Sequence, residues 1–461
     1  MSMAEGKRRT YCMFAIATLA CALGSLTQTA MNSMLGGIQV SFGTDENVSQ
    51  WLTTIFMLVI GITVPIVAHL SRRFTTRTLI LASLTISLVG GFIGAFAPNF
   101  IVLLLSRIPQ AVGAGITLPI LQTIAMTRFP KGQNATAMGI AGIAMGFAPN
   151  IGPLIGGALV DSLGWRSFFW MYIGFCVMLM LATFALVSKQ EREMSDAQLD
   201  FFSFVLSTLG FGGLLLSFSN AASMGFANPW VIVPILIGIV CLVWFVVRQM
   251  RIEHPLISMS IFKSATYRTS FIAQNLLFGS FMGITLIIPL FVVNVCGMTP
   301  IDAGMVFLPA TVLAIIFNPL AGILSDKIGN RTVVVVASFF LVGGSVSMVF
   351  LNADSPLWLI MLLQSIRGIG VSSLIGPLNS WGMYKLPFQN MVDGSAFFTT
   401  TRQASASLCT AIMMMLVASV DGFALMGSGA SMGYQLALGF SAALSVGVMV
   451  CAVFFVRDLK S

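Results

Sequence analysis

Apolar residues run along this chain in long stretches cut by short polar punctuation. A helix needs about 20 apolar residues to cross a hydrocarbon layer. Stretches of that length lie near 11–35, 49–70, 78–97, 99–127, 134–160, 167–187, 202–221, 229–248, 269–296, 302–325, 332–351, 356–384, 394–420 and 432–456. They predict fourteen spanning helices in an all-α polytopic membrane protein. The even count puts both termini on one side. Several stretches exceed the minimum length, which tilting accommodates.

The polar punctuation repeats. Residues 65–77 align without a gap with residues 319–331, 254 positions later. Pro65 matches Pro319, Leu70 matches Leu324, Ser71 matches Ser325 and Arg77 matches Arg331. Arg72 stands where the second copy has Asp326, and Thr75 where it has Gly329. A polar hinge used twice is the mark of two related halves. The register predicts a six-helix bundle over 1–187, linkers and an inserted helix pair over 188–268, and a second six-helix bundle over 269–461. Arg107-x-x-Gln110-x-x-Gly113 and Gln364-x-x-Arg367-x-x-Gly370 echo each other within the fourth and twelfth helices.

Composition agrees with a chain in lipid. It is 57% hydrophobic and 8% charged, against about 25% charged in soluble proteins. The net charge of +8 does not point to nucleic acid, because the basic residues sit in short loops. Nineteen of the 23 Lys and Arg residues fall on the N-terminal side, Arg166 alone falls opposite, and Arg107, Arg367 and Arg402 fall within helices. That asymmetry places both termini in the cytoplasm. The basic segment Met1–Thr10 precedes a full-length apolar run without a small-residue cleavage site, so that run is read as the first span. The seven Cys are scattered with no C-x-x-C pair, and His69 and His254 stand alone. No metal and no cofactor are expected.

Three motifs carry a resemblance. They are Gly322-x-Leu324-x-Asp326-Lys327-x-Gly329-x-Arg331, Arg107-x-x-Gln110-x-x-Gly113-x-Gly115, and Ala148-Pro149-x-x-Gly152-Pro153-x-x-Gly156-Gly157. Gly164-Trp165-Arg166, Asp393-Gly394-Ser395 and Arg402-Gln403 add to them. Over essentially the whole chain the sequence resembles the major facilitator superfamily, and within it the fourteen-helix drug:H+ antiporter branch. The resemblance implies an alternating-access exporter, acting as a monomer, with protons as partner. Gating is then expected at Arg72, Arg77, Pro149, Gly152, Pro153, Gly156, Gly157, Gly322, Asp326, Gly329 and Arg331. Asp326 is expected to cap the next helix and pair with a nearby base. Arg72 has the opposite sign and is expected not to form that clamp. The proline–glycine motif is expected to pack on the other half and seal the outer side.

Charges inside a span are functional by default, which singles out Arg107, Arg367 and Arg402. The branch commonly carries an acid in its first helix, yet Leu26-Thr27-Gln28-Thr29-Ala30-Met31-Asn32 is neutral there. None of the 15 acids is expected mid-span. Asp161, Asp302 and Asp393 lie at helix ends and are read as surface or helix-end groups, with Asp161 a candidate for coupling. Gln28, Asn32, Gln110, Gln122, Gln274, Asn379 and Trp381 are candidate substrate contacts. With 29 Met and 37 Phe, the cavity they line would be apolar and adaptable. The expected cargo is a neutral or anionic amphipath, exported across a bacterial inner membrane by the proton gradient. A lipid or amphipath translocator, or a facilitator without proton coupling, is the alternative. No catalytic set or nucleotide loop supports an enzyme.

Overall fold

The computed structural model describes residues 3–130, 132–187, 200–252, 255–387, 390–421 and 429–458. Their regular structure is helical. Helices α1 to α4 span Met3–Phe42, Trp51–Arg73, Thr76–Ala95 and Phe100–Thr127. Helix α5 starts as Asn134–Gly142, passes through a π-turn at Ile143–Phe147, and continues as Ala148–Leu163. Helices α6, α7 and α8 span Arg166–Leu186, Phe201–Met224 and Pro229–Gln249. Then come α9 (Ala265–Asn294), α10 (Leu308–Ile328), α11 (Asn330–Met348), α12 (Leu357–Met383), α13 (Met391–Asp421) and α14 (Gly429–Phe455).

Local chemistry explains several boundaries. The side chains of Thr75, Asn99, Asn228 and Ser264 accept an N–H of the helix that follows, so α3, α4, α8 and α9 start capped. Gly329 ends α10 at φ +97, a backbone that favours glycine. Thirteen described helices are long and apolar enough to cross a membrane. Helix α13 is 31 residues long and carries Asp393, Arg402 and Thr399 to Thr401 in its first half.

The helices before Leu186 pack chiefly on one another, as do those after Ala265. Related positions bring backbones together in both groups. A Cβ on Gly90 would lie 2.8 Å from the Ser106 carbonyl, and one on Gly344, 254 residues on, would lie 2.6 Å from the Arg367 nitrogen. Small residues let helices approach this closely in lipid. Helices α7 and α8 form a pair beside these groups, with α7 touching both α2 and α13. Arg248 of α8 clamps Asp200 at 2.8 and 3.1 Å. These bonds hold the Asp200 carboxyl below its usual range, at about 2. The other side of α8 leaves Ile232, Leu236, Val240 and Trp244 exposed, as a lipid-facing helix requires.

Candidate functional site: the seam between the two helix groups

The two groups meet mainly near the helix ends that carry the loop arginines and lysines, here termed the basic face. The first part of α5 packs against α10 and α12, while α13 packs against α2 and α4. The second part of α5 barely touches α10. The seam is therefore shut at the basic face and parted toward the opposite one.

The hinge after α10 supplies one fastening. Helix α5 starts after Gln133, which gives no side-chain cap, so its first N–H groups lack an acceptor of their own. Asp326 of α10 fills that role from across the seam. Its carboxylate accepts the N–H of Ala135 at 3.2 Å, the N–H of Thr136 at 2.7 Å and the Thr136 hydroxyl at 2.6 Å. Negative charge at a helix N-terminus is favoured by the helix dipole as well. Asp326 thus caps a helix of the other group and not the next helix in its own.

The hinge after α2 supplies a second fastening, contrary to expectation. Arg72 donates to Asp393 Oδ2 at 2.5 Å and to the Pro255 carbonyl at 3.0 Å. The Ser258 N–H also donates to Asp393 Oδ2, at 2.9 Å. Asp393 is the third residue of α13, as Thr136 is of α5. The sign reversal at Arg72 is thus matched by an acid on the facing helix, so the altered hinge still latches. Asp393 is no surface group either. It is 0% exposed, and Arg72 supplies the counter-charge that makes such burial tolerable. Asp302 is a half-buried helix-end group, in a capping box with Thr299.

Between the two latches the helices touch through glycine. A Cβ on Gly139 would lie 2.4 Å from the Asn318 carbonyl, one on Gly322 2.4 Å from the Ala135 carbonyl, and one on Gly376 2.8 Å from the Gly139 nitrogen. Gly139, Gly376 and Asp393 are the seam residues that sequence reasoning missed. The sequence showed a hinge that had lost its acid at Arg72 and an acid at Asp393, but not that the two face each other.

Other candidates are scattered. Gln122 accepts the Ser395 hydroxyl across the seam at 2.5 Å and is wholly buried. Gln110 is held by Arg107 and by the Gly90 carbonyl. Gln274 donates to the Ile375 carbonyl, and both amide atoms of buried Asn379 lack a partner. Gln28 is half-buried and Asn32 exposed. Trp381 stands apart, donating to the Arg457 carbonyl at 2.8 Å. It borders a hollow of about 600 Å³ between Thr266, Tyr384, Lys385 and Phe454. The structure does not bring these seven into one pocket.

Of the intramembrane arginines, Arg107 has an acceptor for each of its three nitrogens. It donates to Leu52 O, Gln110 Oε1 and Thr27 O, and lies 4.3 Å over the Phe56 ring. It ties α1 and α2 to α4. Arg367 donates to Ser345 Oγ and to the carbonyl and hydroxyl of Ser280. Arg402 has one long bond, to Thr399 Oγ1 at 3.4 Å. Arg77 stays within the first group, on Phe184. The Arg331 N–H donates to Asp458, whose carboxylate also abuts Gly329. The Asp161 side chain lies outside the described residues.

The proline–glycine motif packs on α1 of its own group, not on the other half. Pro149 cannot donate to the preceding turn, and the π-turn just before α5 resumes takes up the mismatch. A Cβ on Gly152 would lie 2.1 Å from Thr29 Oγ1 and 2.9 Å from the Leu26 carbonyl, while one on Gly157 would meet nothing within 4 Å. Gly152→Ala is therefore expected to cost about 1–3 kcal/mol of stability, and Gly157→Ala almost nothing. Thermal unfolding of the two variants in detergent checks the contrast.

Two helix groups latched at one face define a membrane carrier, and the chain belongs to the Major Facilitator Superfamily, whose family model matches residues 17–410. The superfamily comprises carriers rather than enzymes. The chain is 35% identical over 395 residues to the MFS-type transporter YcnB of Bacillus subtilis, covering 86% of this chain and 83% of that one. It is 33% identical over 405 residues to the lincomycin resistance protein LmrB of the same organism, covering 87% and 84%. The fold is shared with the transporter FucP in its outward conformation, at TM-score 0.62 and 12% identity, covering 96% and 99% of the two chains.

Proposed function

We propose that this protein is an alternating-access exporter of amphipathic, neutral or anionic small molecules, driven by the proton gradient across a bacterial cytoplasmic membrane. Bundles 1–187 and 269–461 rock about the seam, and 188–268 supplies the inserted pair of a fourteen-helix chain. The basic face is the cytoplasmic one, and both termini lie there. The observation that carries this reading is the paired latch, Asp326 on α5 and Arg72 on Asp393. Each joins a hinge to the N-terminus of a facing helix, so both must break for the seam to open inward. The similarity to a lincomycin resistance protein supports drug-like cargo.

A facilitator without proton coupling, or a lipid translocator, is the second reading. It is favoured by one observation: among the described residues the only buried acid is Asp393, at the latch. Uptake of 1-anilinonaphthalene-8-sulfonate and lincomycin into inverted vesicles, with an imposed pH gradient and with nigericin, separates the readings. Proton antiport predicts uptake that nigericin abolishes. Uptake that ignores the gradient selects the facilitator, and no uptake of any amphipath removes the export reading.

A further inference from the structure

Among the described residues three guanidiniums are buried within the helices, and they are not equally satisfied. Arg107 has all three nitrogens hydrogen-bonded, and Arg367 has three bonds with only Nη1 unpartnered. Arg402 is 3% exposed, has Nη1 unpartnered, and has its one bond, at 3.4 Å, to its own helix. It lies 11 residues into α13, roughly 16 Å from the start of that helix. The guanidinium sits 4.5 Å over the Phe278 ring of α9. One turn on, Ser405 donates to Asn275 at 2.8 Å. Across the seam, Cys21 of α1 is close enough to feel its charge.

A guanidinium stays charged in a protein, and a buried charge without a partner is costly. Among the described residues no carboxylate pairs with it. Asp393, the one buried acid among the described residues, is taken by Arg72. An aromatic ring, a guanidinium, an amide and a hydroxyl side by side suit an amphipath with an anionic head. We infer that Arg402 is the docking point for a carboxylate or sulfonate on the exported molecule, with Phe278 under its apolar part. This rests on the export reading above and narrows its cargo to anions.

The test compares two probes on one ring frame, 1-anilinonaphthalene-8-sulfonate and the uncharged N-phenyl-1-naphthylamine. Binding to the purified full chain in dodecyl maltoside is read by tryptophan quenching against a detergent blank. Arg402→Gln is expected to weaken the sulfonate probe about ten- to a hundred-fold and leave the neutral probe within about twofold. Arg402→Lys is expected to keep most of the preference. Cys21→Asp sets a carboxylate in the field of Arg402, so it is expected to remove the preference without stranding a charge. The inference is overturned if the wild type does not bind the sulfonate. It is equally overturned if Arg402→Gln and Cys21→Asp bind it unchanged, or if both probes weaken alike. Sulfonate binding through Arg402 without movement in proteoliposomes would remove the export reading and leave the anion site standing.

Discussion

Reversing the charge at Arg72 or at Asp393 alone is expected to open the basic face, and reversing both together to close most of it again. Arg72→Asp sets two carboxylates against each other where one is already wholly buried. Breaking a buried pair costs about 3–5 kcal/mol. Arg72 keeps 29% exposure, so screening lowers the expected loss to about 2–3 kcal/mol. That shifts the closed-to-open ratio about thirty- to a hundred-and-fifty-fold. A cysteine at Ile375, buried in the seam opposite Gly146, reports the change when the seven native cysteines are replaced by alanine. Its maleimide labelling from the basic face should speed up at least about tenfold in each single variant. Arg72→Asp with Asp393→Arg should label more slowly than either single variant. Recovery stays incomplete, because an arginine at the third residue of α13 opposes the helix dipole that the native aspartate complements. Unchanged labelling in the single variants, or a double variant no slower than the faster single one, would show that the pair does not hold the seam.

The pairing explains what the sequence could and could not reveal. The hinge repeat was legible because its Pro, Leu, Ser and Arg recur at a constant offset, and a constant offset is a property of one strand of text. The apolar stretches were legible for the same reason, since length and polarity are local. The partner of Arg72 was not. It lies 321 residues away, beyond an inserted helix pair, and nothing near Asp393 states which helix faces it. The same limit misdirected the glycines. In Asn134–Gly142, Ala135, Ala137, Gly139, Ala141 and Gly142 are all small, so composition could not show which face meets another helix. The proline–glycine motif was the more conspicuous text, yet it packs on its own group. Arg107 illustrates a further case. Its charge marked it as functional, and the structure spends two of its nitrogens on holding α1 and α2 to α4 and the third on Gln110 of its own helix.

The seam glycines give the other large effect. Gly139→Ala is expected to hold the carrier open at the basic face and abolish export without unfolding it. The added Cβ would fall 2.4 Å from the Asn318 carbonyl and 3.3 Å from the Gly322 Cα. Both are backbone of α10, so no side-chain rotation relieves the contact. The clash lies between the two helix groups, so separating them removes it while each group keeps its own packing. An overpacking cost of about 1–3 kcal/mol then falls on the closed state alone and shifts the ratio about five- to a hundred-and-fifty-fold. Labelling at Ile375→Cys should rise accordingly, while the unfolding temperature should move by no more than about 4 °C. Gly322→Ala presses on the Ala135 carbonyl and the Thr136 Cα from the other side and should behave alike. The contrast is Gly113→Ala, whose Cβ would meet Ser87 and the Ser83 carbonyl within one group. Its strain cannot be shed by rocking, so it should lower the unfolding temperature and leave labelling at Ile375→Cys unchanged. If Gly139→Ala instead melts early and labels slowly, the contact belongs to a fixed core and the two groups do not part there.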